Sequence, residues 1–158
     1  MSLTPMPVAP MSLTPMSLAL DEAHAAAARG EVPVGAVVLA PDGSVLARAG
    51  NAVEAMRDAS AHAEMLALRA AAAARGTARL TGCDLVVTLE PCPMCAQAIG
   101  LFRIRRLIFG AYDPKGGGVE HGARVFDASS CHHRPEVIGG VRETEAGDLL
   151  RAFFKSLR

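Results

Sequence analysis

The sequence lacks tryptophan, carries one tyrosine and five phenylalanines, and has no surplus of either charge, since 16 Lys and Arg stand against 16 Asp and Glu in 158 residues. Neutrality withholds the basic excess usual in a nucleic-acid-binding domain. A highly charged disordered chain is excluded as well, because 51% of the residues are hydrophobic. Cysteine is scarce: four in this length are too few for a disulfide scaffold, and a chain of this size buries roughly two thirds of its surface, enough to fold without staples. No apolar run approaches the roughly 20 residues of a membrane helix, because charge, Gly or Pro interrupts each one. The amino end has neither the basic start nor the continuous apolar stretch of a signal peptide. It repeats Met-Ser-Leu-Thr-Pro-Met at 1–6 and 11–16, and residues 1–15 read as a tag or arm outside the core. One soluble domain in a reducing compartment is the expectation.

The pattern along the chain predicts alternating elements. Ser17 can cap a helix running to about Arg29, ended by Gly30. Val34–Ala40 and Val45–Ala49 read as strands about the turn Pro41-Asp42-Gly43-Ser44. Ser60 is placed to cap a helix over Ala61–Arg75, and Leu85–Leu89 reads as a strand. Pro91 and Pro93 flank Cys92 where another helix opens, ending near Gly100, because proline is tolerated only in a first turn. Strands over Arg106–Tyr112 and Glu136–Val141, a mobile Gly116-Gly117-Gly118 loop between them, and an amphipathic helix over Thr144–Leu157 complete the order. Interleaved strands and helices argue for an α/β fold, one mixed sheet covered on both faces in a three-layer α/β/α sandwich.

Chemistry concentrates in His62-Ala63-Glu64 and, thirty positions after the histidine, Pro91-Cys92-Pro93-Met94-Cys95. Imidazole and two thiolates suit zinc, and three protein ligands with a fourth position for water is the catalytic arrangement. A closed structural site would need a fourth ligand, for which Cys83, Cys131, His121, His132 or His133 are available. His62 and Glu64 are two apart, so they do not share a helix face. They can cooperate if the metal sits at the helix start, His62 bound to it and Glu64 reaching the water beside it. Zinc brings the pKa of such a water from about 15.7 to near neutrality. A carboxylate can then carry its proton to a ring nitrogen and on to a leaving amine. The competing readings are a solvated Glu64, and a redox use of Cys92 and Cys95 that leaves His62-Ala63-Glu64 unexplained.

The pairing of H-x-E with P-C-x-x-C is the signature of the zinc deaminases of nucleobases. From about Ser17 to Arg158 the chain resembles the bacterial tRNA-specific adenosine deaminases. The phrases that carry the resemblance are Glu31-Val32-Pro33-Val34-Gly35-Ala36-Val37, Ala61-His62-Ala63-Glu64, Thr88-Leu89-Glu90-Pro91-Cys92, Phe109-Gly110-Ala111-Tyr112-Asp113-Pro114-Lys115 and Phe153-Phe154. The resemblance implies a cytidine-deaminase-like fold with a central mixed five-stranded sheet, and a single deaminase domain over residues 16–158. It implies conversion of the wobble adenosine of a tRNA anticodon stem-loop to inosine with release of ammonia, in the cytoplasm, by a homodimer with one zinc per subunit. By the same carry-over His62, Cys92 and Cys95 are the ligands and Glu64 is the proton shuttle. Asn51 and the backbone of Ala63 face the target base, Asp113 lies near the substrate, and Phe154 is the candidate for contact with a neighbouring nucleotide, core packing being the competing reading for at least one of Phe153 and Phe154.

Charge is uneven along the chain. Residues 1–100 carry 6 basic and 9 acidic side chains, and residues 101–158 carry 10 and 7. Arg103, Arg105 and Lys115, with Arg106, Arg134 and Arg142, are therefore the candidates for RNA phosphate contacts. A turn at Tyr112-Asp113-Pro114-Lys115 competes with a substrate role for Asp113, and His132 and His133 read as structural or surface residues. The neutral balance and the acid in Gly116-Gly117-Gly118-Val119-Glu120 keep a second substrate class in play, a free base or nucleoside such as guanine, cytosine or cytidine.

Overall fold

Thr14 caps the first helix, α1 (Pro15–Ala28), with its hydroxyl accepting the Ser17 N–H. The structure, a computed structural model, describes residues 14–158. Most of the expected arm, residues 1–13, lies outside the described residues. The helix starts ahead of the expected cap, so Pro15 belongs to it and Ser17 is buried within its first turn. Proline supplies the pre-set φ of a first helical position without forfeiting a needed N–H.

Five strands follow in the expected order: β1 (Gly35–Leu39), β2 (Val45–Gly50), β3 (Asp84–Leu89), β4 (Arg106–Ala111) and β5 (Glu136–Ile138). They form one sheet in the spatial order β2-β1-β3-β4-β5. β1 runs antiparallel to both β2 and β3, while β3, β4 and β5 are mutually parallel. The sheet is thus mixed, as the pattern predicted. β5 stops three residues short of its expected end because Gly139 lies against the Phe109 ring, where a Cβ would come within 2.5 Å, and Gly140 adopts φ +83°.

The remaining helices are α2 (Val53–Met56), α3 (Ala63–Arg75), α4 (Pro93–Leu101) and α5 (Glu143–Ser156). β1 is buried along its whole length, since its alternate residues feed two separate cores. Ala36 and Val38 pack with Ala67, Leu68 and Ile99 of α3 and α4. Val37 and Leu39 pack with Ala19, Leu20 and Ala146 of α1 and α5. Side chains in a strand point alternately to opposite faces, so a continuous apolar run is what a doubly covered strand requires. The three-layer sandwich follows. α1 lies so close that a Cβ on Gly35 would come within 1.9 Å of the Ala19 carbonyl oxygen.

Candidate active site

His62 and Cys92 are each the N-cap of a helix, His62 of α3 and Cys92 of α4, both with extended backbone. The cap of α3 lies two residues later than the expected Ser60. The Ser60 N–H and hydroxyl both donate to Asp58 Oδ1, closing a local turn that keeps residues 58–61 out of the helix. Pro93 opens α4 and sends Cys95 into its first turn. The unsatisfied N–H groups and partial positive charge of both helix starts thus converge where thiolates and a polarised water are needed.

His62 Nδ1 lies 3.6 Å from Cys92 Sγ and 3.5 Å from Cys95 Sγ. All three donor atoms are within 4.8 Å of one another, and no other His, Cys, Asp or Glu among the described residues joins the group. Zn–N bonds of about 2.0–2.1 Å and Zn–S bonds of about 2.3 Å at tetrahedral angles require an N···S separation of about 3.6 Å. The donor set therefore fits zinc in both chemistry and span. The alternative fourth ligands are committed elsewhere. Cys83 is buried in the core, His121 Nδ1 contacts Glu90, the Cys131 thiol donates to the His133 carbonyl, and His133 Nε2 donates to the Ile104 carbonyl. His132 is exposed. Hydrogen bonding from Cys95 pulls the Cys92 thiol down to about 4, and the same contact, with burial, pushes Cys95 up.

Glu64, at the second helical position of α3, is 4% exposed and lines the same cavity as His62 and Cys92. Burial pushes its carboxyl pKa above the ordinary range, the direction that suits a group that must take and return a proton near neutral pH. The cavity, of about 470 Å³, is also lined by Glu31, Asn51, Phe153, Phe154 and Leu157. Asn51 Oδ1 accepts the Ala63 N–H at 2.8 Å. The Ala63 N–H is thus donated to Asn51, and Ala63 itself is fully buried.

The described geometry separates the other sequence candidates. Asp113 lines the cavity, but its Oδ1 accepts the N–H groups of Lys115 and Gly116, which is the turn alternative. Lys115 is exposed at that turn. Arg103 and Arg105 line a different cavity with Arg79 and His133. Arg105 forms a bidentate pair with Asp84, the first residue of β3. Cys92 follows the other end of that strand, and six strand residues span roughly 17 Å, so these two arginines lie at the end of β3 remote from the site. Arg106 pairs with Glu136, Arg134 with Asp127 and Arg142 with Glu145. A run of charge in sequence does not reveal which ends of parallel strands carry it.

Two buried acids were not singled out by the sequence. Glu31 accepts the N–H groups of Glu54 and Ala55 at the start of α2, and those bonds hold its pKa below the usual value. Glu90 accepts four backbone N–H groups of the 113–121 loop. That loop was expected to be mobile. It is tied down because Gly117 and Gly118 pack against Glu90 and Pro93 where a Cβ would come within 2.4 and 2.6 Å. An acid ending an apolar segment just before proline, as in Leu89-Glu90-Pro91, was the available signal.

The sequence profile of the cytidine and deoxycytidylate deaminase zinc-binding region matches residues 12–111. The chain belongs to that family. It is 53% identical over 141 residues to the tRNA-specific adenosine deaminase of Agrobacterium fabrum, covering 89% of this chain and 92% of the relative. It superposes with a TM-score of 0.85 and 53% identity on a structure from work on A-to-I editing by tRNA:A34 deaminases at the wobble position, covering 86% of this chain and 98% of that one. A guanine deaminase from Nitrosomonas europaea is more distant, with a TM-score of 0.76 and 26% identity over 88% of this chain and 82% of that one. The fold, the zinc-binding chemistry and hydrolytic deamination are thus properties of this family member.

Proposed function

We propose that the chain deaminates the wobble adenosine of a tRNA anticodon, converting adenosine and water to inosine and ammonia. The observation that carries this reading is the buried Glu64 carboxyl beside His62, Cys92 and Cys95 in one cavity, in a chain whose 53%-identical relative acts on tRNA. His62, Cys92 and Cys95 hold the metal, one zinc per subunit, which when bound supplies an activated water at neutral pH. Glu64 takes the proton of the attacking water, passes it to the purine ring nitrogen as C6 becomes tetrahedral, and delivers the second to the departing amine. Asn51 keeps its side-chain NH2 without a partner among the described residues, and this group is placed to donate to the base. Residues 16–158 form the single catalytic domain.

A base worked on by such a site must be splayed out of its strand, and the surroundings of the cavity suit a strand. Phe154 lines the catalytic cavity and two adjoining ones that continue past Tyr112, Asp113 and Arg151 to Lys155 and Arg158. Aromatic faces beside cations are the composition of a single-strand path. Phe154 is half-exposed and edge-on to Phe153, their centroids 5.5 Å apart. The exposed stripe of Met94, Gln97 and Leu101 along α4 supports a homodimer. Four free thiols among the described residues, and no described helix long and apolar enough to cross a membrane, accord with work in the cytoplasm.

The test is inosine formation in an anticodon stem-loop with a wobble adenosine, alongside free guanine, cytosine, adenosine and cytidine. Inosine at that position alone is expected. Ammonia from only a free base or nucleoside would move the enzyme to the small-molecule branch and leave the α5 path without a role.

A further inference from the structure

The Glu90 side chain is completely enclosed, although an ionised carboxylate costs several kcal/mol to bury unless its lone pairs are met. Here they are met by one segment. Oε1 accepts the Asp113 N–H at 3.0 Å and lies 2.8 Å from His121 Nδ1. Oε2 accepts the N–H groups of Val119, Glu120 and His121 at 3.2, 3.0 and 3.1 Å. Burial pushes the carboxyl pKa up, but these bonds outweigh it and hold the group below its ordinary value. Glu90 also stands two residues before the ligand Cys92, and the carbonyl of the intervening Pro91 accepts the Gly118 N–H at 2.8 Å. The segment so gripped places Asp113 and Gly116 on the wall of the catalytic cavity.

We infer that Glu90 is a positioning residue that holds the 113–121 loop in register with the metal-ligand turn, and so sets how tightly the nucleotide substrate is held. The inference rests on the reading of the cavity as a nucleotide deamination site. Glu90 contributes to binding and leaves the reacting atoms to other groups, because its oxygens are consumed by the loop. Asp113 inherits its place from this contact: its N–H is fixed by Glu90 while its carboxylate closes the Lys115–Gly116 turn. Gly117 completes the fit, since a Cβ there would lie 2.4 Å from Glu90 Oε2.

Two variants strike this contact from opposite sides. Glu90→Gln puts an NH2 donor where backbone donors converge, and Gly117→Ala pushes a methyl group against both the carboxylate and the Asp113 carbonyl oxygen of the loop it anchors. Each is expected to raise KM for the stem-loop about tenfold or more, with kcat within threefold and zinc per chain unchanged. Because both break one contact, the double variant should be no worse than the poorer single one. An unchanged KM in either folded variant overturns the inference. So does a fall in zinc content and kcat at constant KM, which is what a purely structural Glu90 would give. If Glu90→Gln does not fold, Glu90→Asp, which keeps the charge but draws it back from the loop donors, decides in its place. Failure of the wild-type enzyme on every stem-loop would instead count against the substrate reading, a separate outcome.

Discussion

Asn51 Oδ1 accepts the Ala63 N–H at 2.8 Å, so a residue just after β2 caps the helix that begins at His62, the proposed metal ligand. His62 makes no capping bond of its own, which leaves its imidazole for the metal. Asn51→Asp keeps the acceptor and removes the NH2 donor. It is expected to melt near the wild-type temperature while deamination falls about tenfold to hundredfold, or about 1.4–2.8 kcal/mol of transition-state stabilisation. Asn51→Ala loses the cap too, and should cost about 1 kcal/mol of stability. Calorimetry with an inosine assay separates the two, and a fully active Asn51→Asp would deny the donor a role.

Glu64 and the ligands should fail differently. Glu64→Ala is expected to retain zinc and lose turnover by several orders of magnitude, since the ligand set stays and the proton route goes. Cys92→Ala and Cys95→Ala should lose metal, activity and thermal stability together, because metal binding is coupled to folding. Zinc by atomic absorption beside single-turnover assays checks this. Full zinc occupancy in a cysteine variant would remove that residue from the ligand set.

The α5 path predicts a salt signature. Lys155 and Arg158 make no ion pair among the described residues, whereas Arg151 pairs with Asp148 at 2.5 Å. Replacing Lys155 and Arg158 by alanine should weaken stem-loop binding and flatten its log–log salt dependence by about 0.7 for each phosphate no longer neutralised. Arg103→Ala, at the far end of the sheet, should leave the slope unchanged. Fluorescence anisotropy at several salt concentrations distinguishes these expectations, and equal slopes for all variants would dismiss the path.

Leu101 is 59% exposed and Met94 39%, two helical turns apart on α4. Such a stripe is expected to be covered by a second copy of the chain. Leu101→Glu should convert the proposed dimer to monomer in light scattering, and a wild-type monomer at working concentration would contradict the assembly.

Glu31 gives a pH dependence. Its carboxyl pKa is lowered by the Glu54 and Ala55 N–H groups, so its contribution to stability is present above the unfolded value of about 4.5 and is lost as pH falls through the folded one. Glu31→Gln should therefore melt below wild type at pH 7, with the gap closing below pH 4.5. A gap independent of pH would mean that the charge of Glu31 is not what holds α2.

The order of strands and helices, the doubly covered β1 and the grouping of His62, Cys92 and Cys95 were legible in the sequence because each is a local signal. Hydrophobic period, proline in a first turn and the His62-Ala63-Glu64 spacing are all short-range properties. The tertiary structure decided what depends on distant segments meeting. Parallel pairing of β3 with β4 carried Arg103 and Arg105 to the end opposite Cys92. The hydrogen bond from Ala63 turned Asn51 into a cap, and the Glu90 carboxylate turned an expected mobile loop into a segment anchored by the buried Gly117 and Gly118. A carboxylate in a sequence shows its charge, but the donors that satisfy it once water is removed come from 23 to 31 residues away. Only the folded chain determines which they are.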